Sequence, residues 1–459
     1  MLFKIFFFLI VFCICEIQIN GQSENYFCST NPLKLILKGF RDVEDIEKFC
    51  QSKSNWECDD YGQKFIVSQG EFTKIEFQNI SITHLPMNCL SLFPNLKELN
   101  ASNSEIEKVG EFTNYYGSHL EILNLSRNKI KKIENSPFRN LGNLKYLDLS
   151  YNQIEVIESN FFNNIVKSIA KIDLSYNKLK QFDEQLLSDG YQIYNLGNNL
   201  TIQLDNNLIE KFLPTRKNCA LNLENLGFKL TLDLSDNLFK SIESKCDITV
   251  LDISNNQLKD VKANATEVIV NNNKIKTMNF FTDPNIVSLK NNDLQSLDYV
   301  NFLSAFKNVQ ELDISNNLFG SLKIETFADM RNLKKLSLRG IGLTKILFGL
   351  FGQLRKLEYL DLSYNDLSTF DHQNFLALDN LKTLDLSGNK LRMLFNFENI
   401  KEILPKLQFI ALEGNKWSCS YLSLIKKSFN KQQVQLIEAK KPVKNERNIF
   451  GIQCYFDEL

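Results

Sequence analysis

The stretch Leu357–Leu391, LEYLDLSYNDLSTFDHQNFLALDNLKTLDLSGNKL, states one unit twice. The pattern L-x-x-L-x-L-x-x-N-x-L begins at Leu357 and again at Leu381. In each copy the alternation Leu360/Leu362 or Leu384/Leu386 has the period of a short half-buried strand. Asn365 or Asn389 follows, where the chain turns inward and its backbone groups need new partners. One such coil cannot cover its own apolar edge, so neighbours must stack into a solenoid with parallel strands on one face.

The same pattern extends in both directions. Upstream it is regular at Leu120, Leu144 and Ile169, each ending in its own Asn at 128, 152 and 177, and downstream at Val309 and Leu333, where Ile341 takes the Asn place. Degenerate coils start at Phe72/Ile75/Phe77 and at Leu96/Leu99/Ala101, the latter with Ser104 for Asn. Tyr191/Tyr194/Leu196 and Ile202/Leu204 lie too close together for two coils, and the second, ending in Asn207, is assigned. Leu232/Leu234, Leu251/Ile253, Val268/Val270 and Val287/Leu289 then follow at unequal, shorter spacing, which leaves little room for a return segment and predicts flatter curvature. About fifteen coils result, and the motif is the leucine-rich repeat signature. The expected fold is therefore an α/β solenoid, a leucine-rich repeat horseshoe with a parallel sheet on its concave face and Cys-containing end caps. Phe is abundant at 36 residues, and Phe138, Phe162, Phe327 and Phe375, late in their coils, are expected to form a buried spine beneath the convex side.

Both ends differ from the repeats. Lys4 and an apolar run from Ile5 to Cys15 read as a secretory leader over residues 1–21, too short for a stable membrane anchor. No later apolar run is long enough to span a bilayer, so the expected product is secreted and extracellular, with no membrane anchor. Residues 22–71 are a polar Cys-containing cap with an amphipathic segment near Val43–Cys50, 72–417 the solenoid, and 418–459 the C-terminal cap. Sequons at Asn79, Asn100, Asn124, Asn199 and Asn264 are compatible with glycosylation on that route. Past the leader, Cys28, Cys50, Cys58 and Cys89 precede the sharp repeats, Cys219 and Cys246 lie mid-chain, and Cys419 and Cys454 follow the last coil. A solenoid exposes its core at its ends, where stapled caps belong. Cys419–Cys454 is expected as one disulfide and Cys219–Cys246 as another, while pairing among the first four stays open. A zinc site there is the weaker reading, for lack of a Cys-x-x-Cys pair and of His.

The run Asn415-Lys-Trp417-Ser-Cys419 resembles the C-terminal cysteine cap of extracellular leucine-rich repeat proteins, in which a Trp covers the core end and a helix follows. Leu422, Leu424, Ile425 and Phe429 fit its apolar face. Tyr421 stands where that family has a second Cys, which implies one cap disulfide. Leader, N-cap, coils with Phe and this cap together resemble the insect leucine-rich immune molecules, and more distantly Toll-type receptor ectodomains. That resemblance implies protein recognition in innate immunity, with a complement-like thioester protein or another leucine-rich repeat protein as partner. The C-terminal coiled coil typical of those molecules is missing here.

Outward places of the strands line the concave face. The fifth place is Asp148, Asp173, Asp233, Asp252, Asp313, Asp361 and Asp385, read as repeat consensus serving neighbouring strands rather than as a cation site. Tyr146, Tyr151 and Tyr176 form one outward aromatic group, and Tyr359, Tyr364 and Phe409 another; exposed aromatics anchor interfaces. Val250, Ile269 and Ile286 either make an exposed apolar patch or are turned inward by an irregular register. Asn100 and Asn124, if glycosylated, would obstruct the N-terminal part of that face.

A net charge of −1 gives no support for nucleic acid as a partner. Only His84, His119 and His372 occur, and neither a nucleophile motif, a phosphate loop nor a metal-spaced cluster is present, so neither an enzyme nor a cofactor is expected. The function expected is a secreted protein-binding scaffold. The alternatives are an adhesion or developmental signalling ligand, and a resident of the endoplasmic reticulum lumen, since Phe456-Asp457-Glu458-Leu459 approaches a retrieval signal but lacks its basic residue.

Overall fold

The computed structural model describes residues 12–19, 22–30, 33–38, 40–51, 55–60, 63–68, 72–78, 80–110, 112, 119–134, 137–158, 161, 168–183, 199–213, 229–244, 247–276, 279–280, 284–295, 306–319, 321–437, 448–449 and 451–455. They fall into two units, residues 1–238 and 239–459.

In the first unit a parallel ladder runs through Lys74–Gln78, Glu98–Asn100, Ile122–Asn124, Tyr146–Asp148, Lys171–Asp173, Leu200–Gln203 and Leu230–Asp233. The middle Leu or Ile of each strand is fully or almost fully buried, and its flanking residues stand on the open face. The coil left ambiguous by sequence sits on Leu200–Gln203. The exposed edge of the first coil is covered by Leu33–Lys38, which pairs parallel with Lys74–Gln78 and inserts Leu35 and Leu37 into the core. Leu33–Lys38 is itself antiparallel to Gln22–Thr30, which pairs in turn with Phe12–Ile19, inside the stretch read as a leader. A helix at Val43–Gln51 buries Val43, Ile46, Phe49 and Cys50. Its Cys50 is disulfide-bonded to Cys89, a pairing the sequence left open.

The second unit repeats the plan through Ile248–Asp252, Ala265–Ile269, Ile286–Ser288, Glu311–Asp313, Lys335–Ser337, Tyr359–Asp361, Thr383–Asp385 and Phe409–Ala411. In its short coils a second parallel ladder, Ser241–Glu243, Asp260–Ala263 and Asn279–Phe280, replaces the return segment. In the longer coils the return carries the Phe spine. Phe327–Phe351 and Phe351–Phe375 ring centroids lie 6.4 and 5.9 Å apart. In the first unit Phe138 packs on Phe112 and on Phe161. Phe161 is the spine residue there, whereas Phe162 lies outside the described residues.

The repeat Asn explains the solenoid's coherence. Asn389 is buried; its Nδ2 donates to the carbonyls of Leu386 in its own coil and Leu362 in the preceding one, and its Oδ1 accepts from Leu367 N. The same side chain thus satisfies backbone groups of two coils at a turn where neither ladder reaches them.

The C-terminal end closes as expected. Cys419–Cys454 is a disulfide, and Trp417 is fully buried with its Nε1 donating to Leu412 O at 2.6 Å. Ser418 caps the helix Cys419–Lys431, which buries Leu422, Ile425 and Phe429; Leu424 points to solvent instead, because the 422/425/429 face already fills the core. Tyr421, at the place where sequence comparison of the cap would put a second Cys, tethers the helix by hydrogen bonds. Its hydroxyl donates to Leu394 O at 2.8 Å and accepts from Leu394 N at 3.0 Å, tying the helix to the last coils. Cys219–Cys246 lies outside the described residues.

Candidate functional site

The site is built from three rows on the open face of each ladder. In the fifth place, Asp148 Oδ1 accepts from Ser150 N at 2.9 Å and Ser150 Oγ at 2.7 Å, and Asp173, Asp233 and Asp385 hold Ser175, Ser235 and Ser387 in the same way. Asp252, Asp313 and Asp361 accept the backbone N–H of Ser254, Ser315 and Ser363. One oxygen of each carboxylate is thus spent closing the turn, as a structural column requires. Burial raises Asp205 and Asp385 above the usual carboxylate range. No group of His, Cys, Asp and Glu able to hold a metal occurs among the described residues.

The eighth place is where sequence reasoning missed a feature. Among the described residues each coil passes through a left-handed conformation there, from Asn103 (φ 53°) through Asn206, Asn255, Asn272, Asn291 and Asn316 to Gly388 and Gly414. Asn and Gly tolerate this region, while other residues strain in it. Arg127, Tyr151, Tyr176 and Tyr364 occupy it nonetheless, at φ of 54–55°. The Asn members bond along their row, Asn316 Nδ2 donating to Asn291 Oδ1, and Asn272 Nδ2 to Asn255 Oδ1. The others compensate by stacking. Tyr151 and Tyr176 lie parallel with centroids 4.2 Å apart, and Arg127 Cζ is 4.3 Å from the Tyr151 ring. Tyr364 has the Arg339 guanidinium at 3.7 Å, and on its other side Gly388, where a Cβ would stand 3.0–3.2 Å from the ring carbons. Arg339 is further fixed by donating to Ser363 Oγ at 2.9 Å.

The third row completes each group. Tyr146 is half-buried beside Lys171, and its hydroxyl is pushed up to about 12, chiefly by burial and then by Asp148 and Asp173. Tyr359 is likewise pushed up to about 12 by burial and by Asp361, Asp385 and Asp313. Register places Tyr359 beside Thr383, and Thr383 beside exposed Phe409. The first unit therefore brings together Arg127, Tyr151 and Tyr176 with Tyr146 two rows away, and the second brings together Arg339 and Tyr364, with Tyr359 two rows away and Phe409 two strands from Tyr359 along that row. Neither Arg was singled out from sequence; the signal was their adjacency to the turn, at Arg127 immediately before Asn128 and Arg339 two residues before Ile341.

The apolar trio is more dispersed. Val250 and Ile286 both pair with Glu267 in the third row, and Ile269 stands in the fifth between Asp252 and Ser288. All three are partly exposed, so the register does not turn them inward, but Glu267 separates two of them. Among the sequons, Asn199 is exposed, whereas the Asn264 amide, the atom a glycan would use, is part-buried and donates to Asp247. Asn100 and Asn124 stand in the fifth row, their Oδ1 accepting from Ser102 and Ser126. Asn79 lies outside the described residues.

Comparison with known proteins bears on the repeat fold. The Leucine rich repeat family model matches residues 94–154, 118–179, 143–190 and 331–391. The fold is that of leucine-rich repeat proteins, a scaffold of the kind used for protein binding. By sequence the chain is 26% identical over 277 residues to the zebrafish (Danio rerio) transforming growth factor beta activator LRRC33, covering 56% of this chain and 39% of that one. It is 27% identical over 271 residues to chicken (Gallus gallus) Tsukushi, covering 53% and 67%, and 32% identical over 169 residues to Toll-like receptor 2 of Boselaphus tragocamelus, covering 37% and 19%. Among solved structures, the LRIM1/APL1C complex superposes at a TM-score of 0.51 with 21% identity, over 84% of this chain and 64% of that one. A leucine-rich repeat protein of Leptospira interrogans superposes at 0.54 with 18% identity, over 88% and 89%. The chain thus spans well under half of the zebrafish relative and about two-thirds of the first structure's chain. No helix among the described residues is long and apolar enough to cross a membrane.

Proposed function

We propose that the protein is a secreted recognition scaffold of innate immunity that binds protein through the open faces of its ladders, in the first unit through Tyr151 and Tyr176 with Arg127 and in the second through Tyr359, Tyr364 and Phe409 with Arg339, each unit's group taken by itself. The observation that carries this reading is the placement of Arg and Tyr in left-handed turns, where the repeat elsewhere uses Asn, Asp or Gly. Residue types that strain the backbone, stay exposed and are held by stacking are the pre-organised anchors an interface needs. Residues 1–21 act as the leader in this reading, and Asn199 as a glycosylation site. The partner class that the resemblance implies is a complement-like thioester protein or another leucine-rich repeat protein. The zebrafish relative, named a growth-factor activator, favours extracellular signalling as the second reading.

The test is capture of partners from insect haemolymph by the tagged chain recovered from the medium of insect cells. Tyr364→Ala and Tyr176→Ala should each weaken binding of the captured protein roughly 30-fold, the effect of losing an anchor of about 2 kcal/mol. Retention inside the cell, or capture that neither substitution weakens, would sink the proposal.

A further inference from the structure

One coil of the first unit breaks the pairing that closes its neighbours. Asp and Ser hold the fifth and seventh places at 148/150, 173/175 and 233/235, and each Ser hydroxyl donates to the Asp carboxylate at 2.6–2.7 Å. Between the last two of these lies the coil of Leu200–Gln203, where the same places hold Gln203 and Asp205. The carboxylate has moved to the seventh place, and no hydroxyl remains there to donate. The consequence shows at Gln203, whose Oε1 is buried and receives no hydrogen bond from any described residue. A buried acceptor left in that state is costly. Along the fifth row Gln203 registers with Asp173 on one side and Asp233 on the other. The titratable groups of the flanking coils on this face are Lys171, Asp173 and Tyr176 before it, and Asp233 and Asp236 after it. Lys171 is engaged elsewhere, its Nζ lying 3.8 Å from Asp173 Oδ2 and over the Tyr146 ring. Half-buried Asp205 accepts from Asn206 Nδ2 at 2.9 Å. Burial raises its carboxyl above the usual range against that bond, and Asp233 and Asp173 raise it further.

We propose that Gln203 and Asp205 are a proton-binding pair: on acidification the Asp205 carboxylate takes a proton from solvent and donates it to Gln203 Oε1, closing this turn as the Ser hydroxyl closes its neighbours. A carboxylic acid carries the O–H that a carboxylate lacks. One proton therefore satisfies the buried acceptor and removes a negative charge that lies between the fields of Asp173 and Asp233. The folded chain then holds this proton more tightly than the unfolded chain does. The added stability is fully present below the unfolded aspartate value of about 4 and is lost as pH rises through the higher folded value. The same coil supports the Tyr stack, since Tyr176 N donates to Asp205 O at 3.0 Å. Mild acid should therefore firm both coils. The pair acts within the fold, so it is independent of the proposed recognition function.

Hydrogen–deuterium exchange of the full chain, read by mass spectrometry on peptides covering residues 171–177 and 200–207 and corrected for the intrinsic rate, tests it. From about pH 7.5 to about pH 4.5, wild-type protection relative to Asp205→Ser should rise about threefold or more. Asp205→Ser restores the hydroxyl found at 150, 175 and 235, so it should fold normally and lose this pH dependence. Gln203→Met removes the acceptor at similar volume and should cut the wild-type rise by about half or more. A constant ratio of wild-type to Asp205→Ser protection across this range overturns the proposal. So does a rise that Gln203→Met leaves intact, because burial and the neighbouring Asp charges alone would then hold the proton.

Discussion

Asn365 offers the sharpest test of how the coils are joined. Its Nδ2 donates to Leu338 O at 2.8 Å and Leu362 O at 3.0 Å, and its Oδ1 accepts from Ile341 N at 3.1 Å and Leu343 N at 3.0 Å. Because Ile341 replaces the Asn of the preceding coil, the turn there depends on this one amide. In Asn365→Ala, Leu362 O keeps Asn389 as a donor, but Leu338 O, Ile341 N and Leu343 N lose the partner they have. Ile341 and Leu343 are buried, so water does not reach them without local opening. At roughly 1–3 kcal/mol for each buried group left unmade, three groups cost about 3 kcal/mol at the low end, after relaxation has recovered what it can. Urea unfolding followed by circular dichroism, with the m-value checked for constancy, measures this. Asn380→Ala is the control: its Nδ2 also bonds to the preceding coil, at Arg355 O, but in an exposed setting, and should cost about 0.5 kcal/mol or less. A loss below about 1 kcal/mol for Asn365→Ala would refute the claim that the buried Asn column holds adjacent coils together.

Other positions follow the same logic. Replacing Cys419 and Cys454 by Ser opens a loop with a sequence separation of 35, which the chain-entropy relation values at about 4 kcal/mol, measurable by the same denaturation series. Gly388→Ala, at φ +64° and against the Tyr364 ring, should cost about 1–2 kcal/mol of stability and displace Tyr364, so a binding assay should register it as well. Tyr146 and Tyr359, both pushed up to about 12, favour their neutral forms in the folded chain, so the stability they contribute is intact below the unfolded value near 10 and is lost as pH rises from there through about 12. Ultraviolet titration should show a late-ionising component that Tyr146→Phe and Tyr359→Phe diminish, Tyr176 and Tyr421 being raised as well; ionisation of all tyrosines near pH 10 would contradict it.

The strands were legible because Leu at fixed spacing has one physical reading. Even the degenerate coil at Phe72/Ile75/Phe77 and the displaced one at Ile202/Leu204 lie on observed strands, since the buried alternation survives changes of residue type. Cys419–Cys454 was legible because only two Cys follow the last coil. Cys50–Cys89 was not, because four Cys admit three connectivities and nothing local distinguishes them. Phe161, buried against Phe138, joins the spine beside the Phe162 that sequence pointed to, because two adjacent identical residues leave a one-residue ambiguity in the pattern. The site was half legible. The Tyr were identifiable as outward, but their left-handed backbone was hidden because Asn, Asp and Gly at the same place in other coils look like ordinary turn residues rather than a conformational requirement.

That hidden requirement bears on whether the exposed Tyr are anchors or ornaments. Were the eighth row under structural demand alone, Asn or Gly would serve in every coil, and in the second unit the Asn members do bond to one another. Tyr151, Tyr176 and Tyr364 instead accept a conformation costing about 1–2 kcal/mol each, and recover part of it by stacking against Arg or one another. The recovered part depends on ring contacts that leave Tyr151 41%, Tyr176 43% and Tyr364 55% exposed, so about half of each side chain contributes no burial to the isolated chain. If the anchors serve a partner, Tyr176→Asn should therefore leave the fold's stability unchanged or raise it by up to about 1 kcal/mol while weakening binding. A Tyr176→Asn chain destabilised by more than about 1 kcal/mol would show that the stack supports the coil rather than an interface.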